Sequence, residues 1–301
     1  MKSVKLVLLM ILFSGFLWGS EADTKGKDLS AKSMPAIVSV DWLKKNIDNP
    51  KVVIIDLQPK EKYLKGHIKG AVSMPGQPPA QILFDPKLLM PKLSIMTDRL
   101  SSAGVDKDSL VVVYDSGVFA WAARLYWILE FLGHENVGIL QVGYGGWEKG
   151  ELPVSTAVFE PKRKEFVPRI DNAKIKTKLD TLLAIDKKTI IDGRKKSHWK
   201  GNESLAKRFG HIPSAINYAC TQNYEVTASG NRMRDLKELK GLYKDIPKDK
   251  EIILYCDGGA EAALNYIVLQ ELGYKASIYD GSWLEWGNDS EVPVSNPSKK
   301  K

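Results

Sequence analysis

The chain of 301 residues contains little cysteine and little histidine, with two and four residues respectively. Two thiols cannot build the disulfide framework of a small secreted domain. The four histidines are scattered, so no Cys/His pattern indicates a metal site. Walker and dinucleotide glycine motifs are missing too, and no cofactor is indicated. Hydrophobic residues make up 44% and charged residues 27%. This composition is globular, and the length fits two domains.

Long hydrophobic runs are confined to the N-terminus. Lys2 precedes an apolar run over residues 6–18, and Ser20 and Ala22 then form a small-residue cleavage pattern. The run is too short to cross a bilayer comfortably, which takes about 20 residues. We therefore predict a signal peptide over residues 1–22 and an exported, periplasmic protein without stable membrane association after cleavage. An uncleaved membrane anchor is the alternative.

The formal net charge is +8, which raises the question of nucleic-acid binding. The lysines are dispersed, however, and no basic patch interleaved with aromatic residues stands out. We therefore predict no nucleic-acid partner. The charge is explained by solvated surfaces and by attraction for small anions.

One short stretch contains the strongest candidate for chemistry. The apolar run 252–255 leads into Cys256, and Gly258 and Gly259 are followed by helix-forming residues. The pattern predicts a strand, a tight loop and a helix, with the thiol at the carboxyl end of the strand, where open α/β sheets bind ligands. Loop amides and the helix N-terminus favour a thiolate, so we expect the pKa of Cys256 to fall below the ~8.5 of free cysteine. A buried, inert cysteine is the alternative.

The second half of the chain repeats the first at an offset of about 140 residues. Gly210-His211-Ile212 matches Gly66-His67-Ile68, and the strand ending at Asp192 matches the one ending at Asp56. We predict two α/β domains over residues 34–154 and 165–296, joined by a charged linker at 155–164. The repeated histidines indicate structural roles.

The two copies differ at the strand end where the thiol lies. The first copy has Asp115 at the position of Cys256. A carboxylate cannot act as a sulfur nucleophile, so only the second copy is predicted to be catalytic. Cys220, the other thiol, is predicted to be packed and structural. A disulfide between the two is conceivable, although it would consume the reactive thiol.

Several motifs occur together in a fixed order: Tyr255-Cys256-x-x-Gly259-x-x-Ala262, Asp192-Gly193-Arg194, the Gly-His-Ile repeats and Trp283-x-Glu285-Trp286. This combination resembles the tandem-domain rhodaneses, the thiosulfate and 3-mercaptopyruvate sulfurtransferases, over nearly all of residues 34–296. The resemblance implies an α/β fold of two tandem rhodanese-like domains, each a mainly parallel sheet flanked by helices.

The resemblance also implies a ping-pong sulfurtransferase. Cys256 would take sulfur from a small anionic donor such as thiosulfate or mercaptopyruvate, become a persulfide, and pass the sulfur to a thiol, cyanide or protein acceptor. Arg194 matches the family arginine that binds the donor's anionic group; a surface salt bridge is the alternative. Lys200 or His198 would supply a second anion-binding group. The loop residues implied to bind substrate are Asp257, Gly258, Gly259, Ala260 and Glu261.

The loop departs from the family pattern. Asp257 and Gly258 replace the two basic residues of thiosulfate enzymes or the Gly-Ser of mercaptopyruvate enzymes, and Glu261 replaces a threonine. Two carboxylates should repel a dianionic donor and raise the thiol pKa. Cysteine phosphatases of similar fold need an arginine where this chain has Ala262, which argues against that function. A non-enzymatic sulfur carrier or a catalytically degenerate relative remains the alternative.

Overall fold

The computed structural model describes residues 34–76 and 82–298. The signal peptide predicted over residues 1–22 lies outside the described residues. Within them, no helix combines the length and the apolar character that a membrane crossing requires.

The first half alternates strands and helices, as the alternation of short apolar runs and longer periodic segments predicts. Its elements are β1 (Ile37–Val38), α1 (Val40–Asn46), β2 (Val52–Asp56), α2 (Lys60–Lys65), β3 (His67–Ile68), β4 (Ala71–Ser73), α3 (Leu93–Ser102), β5 (Leu110–Tyr114), α4 (Ala120–Phe131), β6 (Val137–Leu140), α5 (Tyr144–Lys149) and β7 (Val154–Ser155).

The second half follows the same order, with an added hairpin. Its elements are β8 (Ile175–Lys176), α6 (Lys178–Ala184), β9 (Thr189–Asp192), α7 (Lys196–Trp199), β10 (Ile216–Asn217), β11 (Tyr224–Thr227), β12 (Gly230–Met233), α8 (Leu236–Leu242), β13 (Ile252–Tyr255), α9 (Ala260–Glu271), β14 (Ala276–Tyr279) and α10 (Ser282–Trp286). Single 3₁₀ turns lie at Asn172–Lys174 and Cys220–Asn223.

Each half builds one five-stranded sheet in which every pairing is parallel. The strand order is β1-β6-β5-β2-β4 in the first sheet and β8-β14-β13-β9-β10 in the second, so corresponding strands take corresponding places. The central strands are nearly continuous apolar runs because helices cover both faces of such sheets. The predicted fold of two parallel α/β sheets flanked by helices is confirmed.

Buried polar contacts repeat along with the strands. The hydroxyl of Tyr114 donates to the carboxylate of Asp56 in the first half. The hydroxyl of Tyr255 donates to Asp192 at 2.7 Å in the second. In both halves this tyrosine is the last residue of its strand, and it directly precedes Asp115 in the first half and Cys256 in the second. The carboxyl ends of two neighbouring strands are thereby tied together, because a buried hydroxyl and carboxylate must satisfy each other.

The repeated histidines lie in equivalent aromatic stacks. His67 stacks on Tyr63 with ring centroids 3.8 Å apart, and His211 stacks on Trp199 at 4.4 Å. Each Nδ1 lies within hydrogen-bond distance of a backbone oxygen, that of Tyr63 in one case and of Trp199 in the other. The structural roles predicted for these histidines agree with this geometry.

The two halves share one hydrophobic core, in which α4 and α9 pack against each other. Arg124 on α4 is fully buried and pairs with Asp280 of the second half at 2.6 Å. The other oxygen of Asp280 accepts from the backbone N–H of Met90 at 2.8 Å. In the opposite direction, the amide of Asn231 in β12 donates to the carbonyl of Gly117 at 2.8 Å. Side chains of each half therefore form an ion pair or a hydrogen bond with a loop residue of the other half.

Candidate active site

Cys256 lies immediately after β13, and Gly259 is the N-terminal cap of α9. The thiol sulfur accepts the N–H of Gly259 at 3.0 Å, as the predicted strand, loop and helix require. Gly259 has φ +84°, and a Cβ there would lie 2.7 Å from Nη1 of Arg124. Only glycine meets both conditions, since other residues rarely adopt this conformation and would collide with the buried ion pair.

The thiol of Cys256 is 1% exposed, and this burial raises its pKa to about 12. The negative charges of Glu261 and Asp257 contribute to this rise, while the N–H groups of Ala262 and Gly258 oppose it. The expected lowering of the thiol pKa by loop amides is therefore wrong in direction. Amide contacts do act as expected, but desolvation of a buried thiolate outweighs them.

Glu261 lies in the first turn of α9. Burial raises the pKa of its carboxyl to about 7, and the charges of Asp257 and Asp192 contribute in the same direction. The positive charges of Lys195 and Arg194 oppose the rise. This carboxyl is therefore partly protonated near neutral pH, so it can both accept and donate a proton.

Arg194 donates hydrogen bonds to groups of the second domain through Nε and Nη2, whereas its buried Nη1 has no hydrogen-bond partner among the described residues. Its Nε and Nη2 donate to the carboxylate of Asp192 at 2.6–3.1 Å, and Nη2 also donates to the carbonyl of Gly210 at 2.8 Å. Its guanidinium lies 4.5 Å from the ring centroid of Trp283. The remaining nitrogen, Nη1, faces Oδ1 of Asp257 at 3.7 Å. The arginine thus forms a buried ion-pair cluster.

The other two candidate anion-binding residues lie apart from the thiol. His198 has Nδ1 at 3.5 Å from Oδ2 of Asp257 and Nε2 at 3.4 Å from Glu203. Lys200 caps the C-terminus of α7 and is exposed. Burial raises the pKa of Asp257, which the charges of Arg194 and His198 oppose. Asp257 is therefore the anion that these basic groups surround.

A pocket of about 390 Å³ opens above Cys256. The pocket is lined by the thiol and by four of the other residues predicted for the site: Asp257, Gly258, Ala260 and Glu261. Among the residues that the structure describes, Arg194, His198, Lys200 and Gly259 do not line it. The rest of the wall is mostly large and apolar: Phe84, Leu88, Val118, Trp121, Leu205 and Leu284.

Sequence reasoning missed this apolar wall, most of which comes from the first domain. Phe84 and Leu88 lie between β4 and α3, where the sequence shows only a proline-rich stretch. Leu88 has φ +62°, and Oδ1 of Asp85 accepts the N–H groups of Lys87 and Leu89, so the segment forms a tight turn. Tandem duplication was the one available signal, because paired domains commonly bind ligands between them.

The corresponding loop of the first domain holds a carboxylate instead of a thiol. Asp115 accepts N–H groups from Gly117, Phe119, Trp121 and Ala122 at 2.7–3.4 Å. From Asp115 to the cap Phe119 this loop is one residue longer than the loop from Cys256 to its cap. The chain's own carboxylate therefore fills the amide-lined space.

Both cysteines are free and buried, so the conceivable disulfide is not formed. Cys220 begins a 3₁₀ turn, and its N–H donates to the carbonyl of Gly193 at 2.9 Å. Burial raises the pKa of this thiol well above its usual value. Across residues 34–76 and 82–298, no group of histidine, cysteine and carboxylate side chains is arranged to hold a metal ion.

A family model of the Rhodanese-like domain matches residues 39–150 and 176–289. The 3-mercaptopyruvate sulfurtransferase of Escherichia coli K12 is 30% identical over 85% of this chain and 96% of that protein. The thiosulfate sulfurtransferase of Azotobacter vinelandii is 29% identical over 87% and 97%. The crystal structure of SseA from Escherichia coli, a 3-mercaptopyruvate sulfotransferase, superposes with a TM-score of 0.72 at 29% identity, covering 83% of this chain and 99% of that one.

Proposed function

Because this chain belongs to the rhodanese family and is a sulfurtransferase, we propose that it moves a sulfane sulfur from a thiosulfate- or mercaptopyruvate-like donor to a thiophilic acceptor, through a persulfide on Cys256. One observation carries the proposal. Cys256 is a free thiol in the wall of a pocket, at a strand end, with its sulfur held by the N–H of a tight glycine loop. A nucleophile in this position can form and release a covalent intermediate.

The first step transfers one sulfur to the enzyme. With a mercaptopyruvate-like donor, the Cys256 thiolate attacks the donor sulfur and forms the new S–S bond. The C–S bond breaks, and its electron pair leaves with the three-carbon fragment, which takes up a proton to become pyruvate. With thiosulfate, the S–S bond of the donor breaks and sulfite leaves with the electron pair.

Glu261 is the proton carrier in this proposal. At a pKa of about 12, the thiol of Cys256 is protonated at neutral pH and needs a base. The carboxylate of Glu261 lines the same pocket and, with a pKa of about 7, is available in both states. It takes the proton of the Cys256 thiol before the attack. With a mercaptopyruvate-like donor it then gives this proton to the carbon of the leaving fragment, so no proton is gained or lost in the step.

The charge of the pocket favours a monoanionic donor over a dianionic one. Asp257 and Glu261 both line the pocket beside the thiol. Repulsion grows with the charge of the donor, so each carboxylate disfavours thiosulfate about twice as strongly as mercaptopyruvate. We therefore place a mercaptopyruvate-like compound ahead of thiosulfate as donor.

Export is the remaining part of the proposal, and it rests on the N-terminal sequence alone. We propose that the chain is cleaved after Ala22 and acts in the periplasm. Mass spectrometry of the protein recovered from a periplasmic fraction would find Asp23 as its first residue. An intact N-terminus on a membrane-bound protein would support the anchor instead.

The central test measures sulfur on Cys256. The purified protein is incubated with 3-mercaptopyruvate or thiosulfate, and the peptide containing Cys256 is weighed. One added sulfur atom is expected, with loss of this mass after cyanide or a thiol is added. Cys256→Ser should abolish loading, and Cys220→Ala should retain it, because Cys220 lies outside the pocket lining.

The result separates the enzyme from its alternatives. No added sulfur with any donor would refute the persulfide mechanism. A persulfide that forms but is not discharged by small acceptors would indicate a sulfur carrier.

A further inference from the structure

We propose that the sulfur acceptor of this site is an organic thiol with an apolar body and a neutral or positive charge, rather than a small anion. This inference rests on the proposed function, since the acceptor must reach the Cys256 persulfide. Two observations support it: the composition of the pocket wall and the pairing of the nearby Arg194 with Asp257.

The wall combines apolar surface with negative charge. Six large apolar side chains face the space above Cys256, and the only ionisable carboxyls in the lining are Asp257 and Glu261. Among the described residues, no lysine, arginine or histidine lines it. Residues 77–81, which the structure does not describe, carry no charge in the sequence. Apolar walls bind apolar ligand surface, and convergent carboxylates bind cations.

The arginine expected to hold an anion already donates to Asp192 and Gly210, and its Nη1, which has no hydrogen-bond partner among the described residues, faces Asp257. Three of its four contacts to Asp192 and Gly210 are shorter than 3.1 Å, and its remaining nitrogen faces Asp257. Arg194 is 1% exposed. Asp257 therefore stands at the face of the guanidinium where an incoming anion would pair. An anionic ligand at Nη1 would compete with a carboxylate that is covalently part of the loop, a cost that the anionic donor of the proposed function also meets and that a neutral or cationic acceptor avoids.

A cationic acceptor would also help the chemistry. A positive charge beside Cys256 stabilises the thiolate that leaves when sulfur is transferred. The acceptor thiolate attacks the outer sulfur of the persulfide, the new S–S bond forms, and the bond to Cys256 breaks with its electron pair on the cysteine. An anionic acceptor would add a further negative charge to a pocket that already contains two carboxyl groups.

The test uses thiol reagents that differ in charge and do not depend on sulfur transfer. Ethyl methanethiosulfonates with a trimethylammonium, hydroxyl or sulfonate end add their R–S group to the thiolate and release methanesulfinate. Rates at the Cys256 peptide are measured by mass spectrometry in the Cys220→Ala protein. Each rate is divided by the rate of the same reagent with a free thiol, which removes intrinsic reactivity.

We expect the normalised rates to fall from cation to neutral to anion, with at least about a tenfold span for two nearby carboxyl groups. Glu261→Gln should reduce the cation-to-anion ratio several-fold. Glu160→Gln, which removes an exposed charge in the linker, should leave the ratio unchanged. A ratio near one, a ratio insensitive to Glu261→Gln, or no labelling by any of the reagents would overturn the inference.

The outcome is separable from the proposed function. A persulfide on Cys256 that turns over, together with a charge ratio near one, would refute the acceptor class alone. A strong cation preference without any persulfide would refute the sulfurtransfer mechanism and leave the ligand preference standing.

Discussion

The two copies place a carboxylate and a thiol at the same strand end, and their loops treat these groups differently. Asp115 accepts four backbone N–H groups, whereas the sulfur of Cys256 accepts that of Gly259 at 3.0 Å. The amide-lined loop is a receptor for negative charge in both domains. In the first it is permanently filled by the chain. The loop of the second holds a thiol instead, and in the proposed function its amides would face the sulfur of the persulfide.

A second pair of positions shows the same divergence. In the first domain the amide of Gln58 donates to Asp56 at 3.0 Å, and in the second Arg194 makes the equivalent contact to Asp192. The exchange brings a positive charge into the second domain, where Asp257 lies 3.7 Å from it. The loop of Cys256 therefore lies beside a buried ion pair, whereas the first domain has a neutral amide at the corresponding place.

The largest expected effect comes from exchanging the two groups. In a Cys256→Ser background, Asp115→Cys should not restore sulfur loading, because the longer first loop is contacted by Asn231 and Asp115 is not among the residues that line the pocket above Cys256. Mass spectrometry of the peptide containing position 115 after donor treatment tests this. The unsubstituted protein is the positive control, and sulfur found at position 115 would mean that loop sequence alone, without the pocket, makes a site.

Glu261 should make one contribution to stability depend on pH near neutrality. Its pKa is about 7 in the fold against the usual value of 4.5, so the folded protein binds more protons between these values. This contribution to the free energy of unfolding is fully present below pH 4.5 and is lost as pH rises through about 7, by about 3 kcal/mol in all. Urea unfolding at several pH values measures it. Glu261→Gln should remove this component while Glu160→Gln preserves it; identical curves for both variants would contradict the assignment.

A smaller effect is expected at Asp115. Asp115→Ala leaves several buried N–H groups without their acceptor and should lower the free energy of unfolding by about 2 kcal/mol. Asp115→Asn keeps one carbonyl acceptor and should cost less. Cys256→Ala is the matched change in the other copy and should cost about 1 kcal/mol or less, because sulfur is a weaker acceptor than a carboxylate for the N–H groups of the loop. Equal losses at both positions, measured by denaturant titration, would remove the distinction between a filled and an open loop.

Local features of the site were predictable from sequence, and features set by long-range packing were not. The strand, glycine loop and helix around Cys256 follow from a short apolar run and two glycines. The substitution by Asp115 follows from the repeat. The wall formed by Phe84 and Leu88 could not be predicted, because these residues approach the thiol only when the domains pack. The predicted direction of the shift in the pKa of Cys256 was wrong for the same reason, because the shift depends on burial, which the local sequence pattern does not encode.

The buried pair of Arg124 and Asp280 has a consequence for how far each half depends on the other. Its guanidinium lies over the rings of Phe84 and Trp127, and its partner is held by the second half. Deleting either half would remove the partner of the other half's charge and would expose the apolar surface of the shared core to water. The half without a nucleophile therefore supplies part of the interior that encloses the half with Cys256.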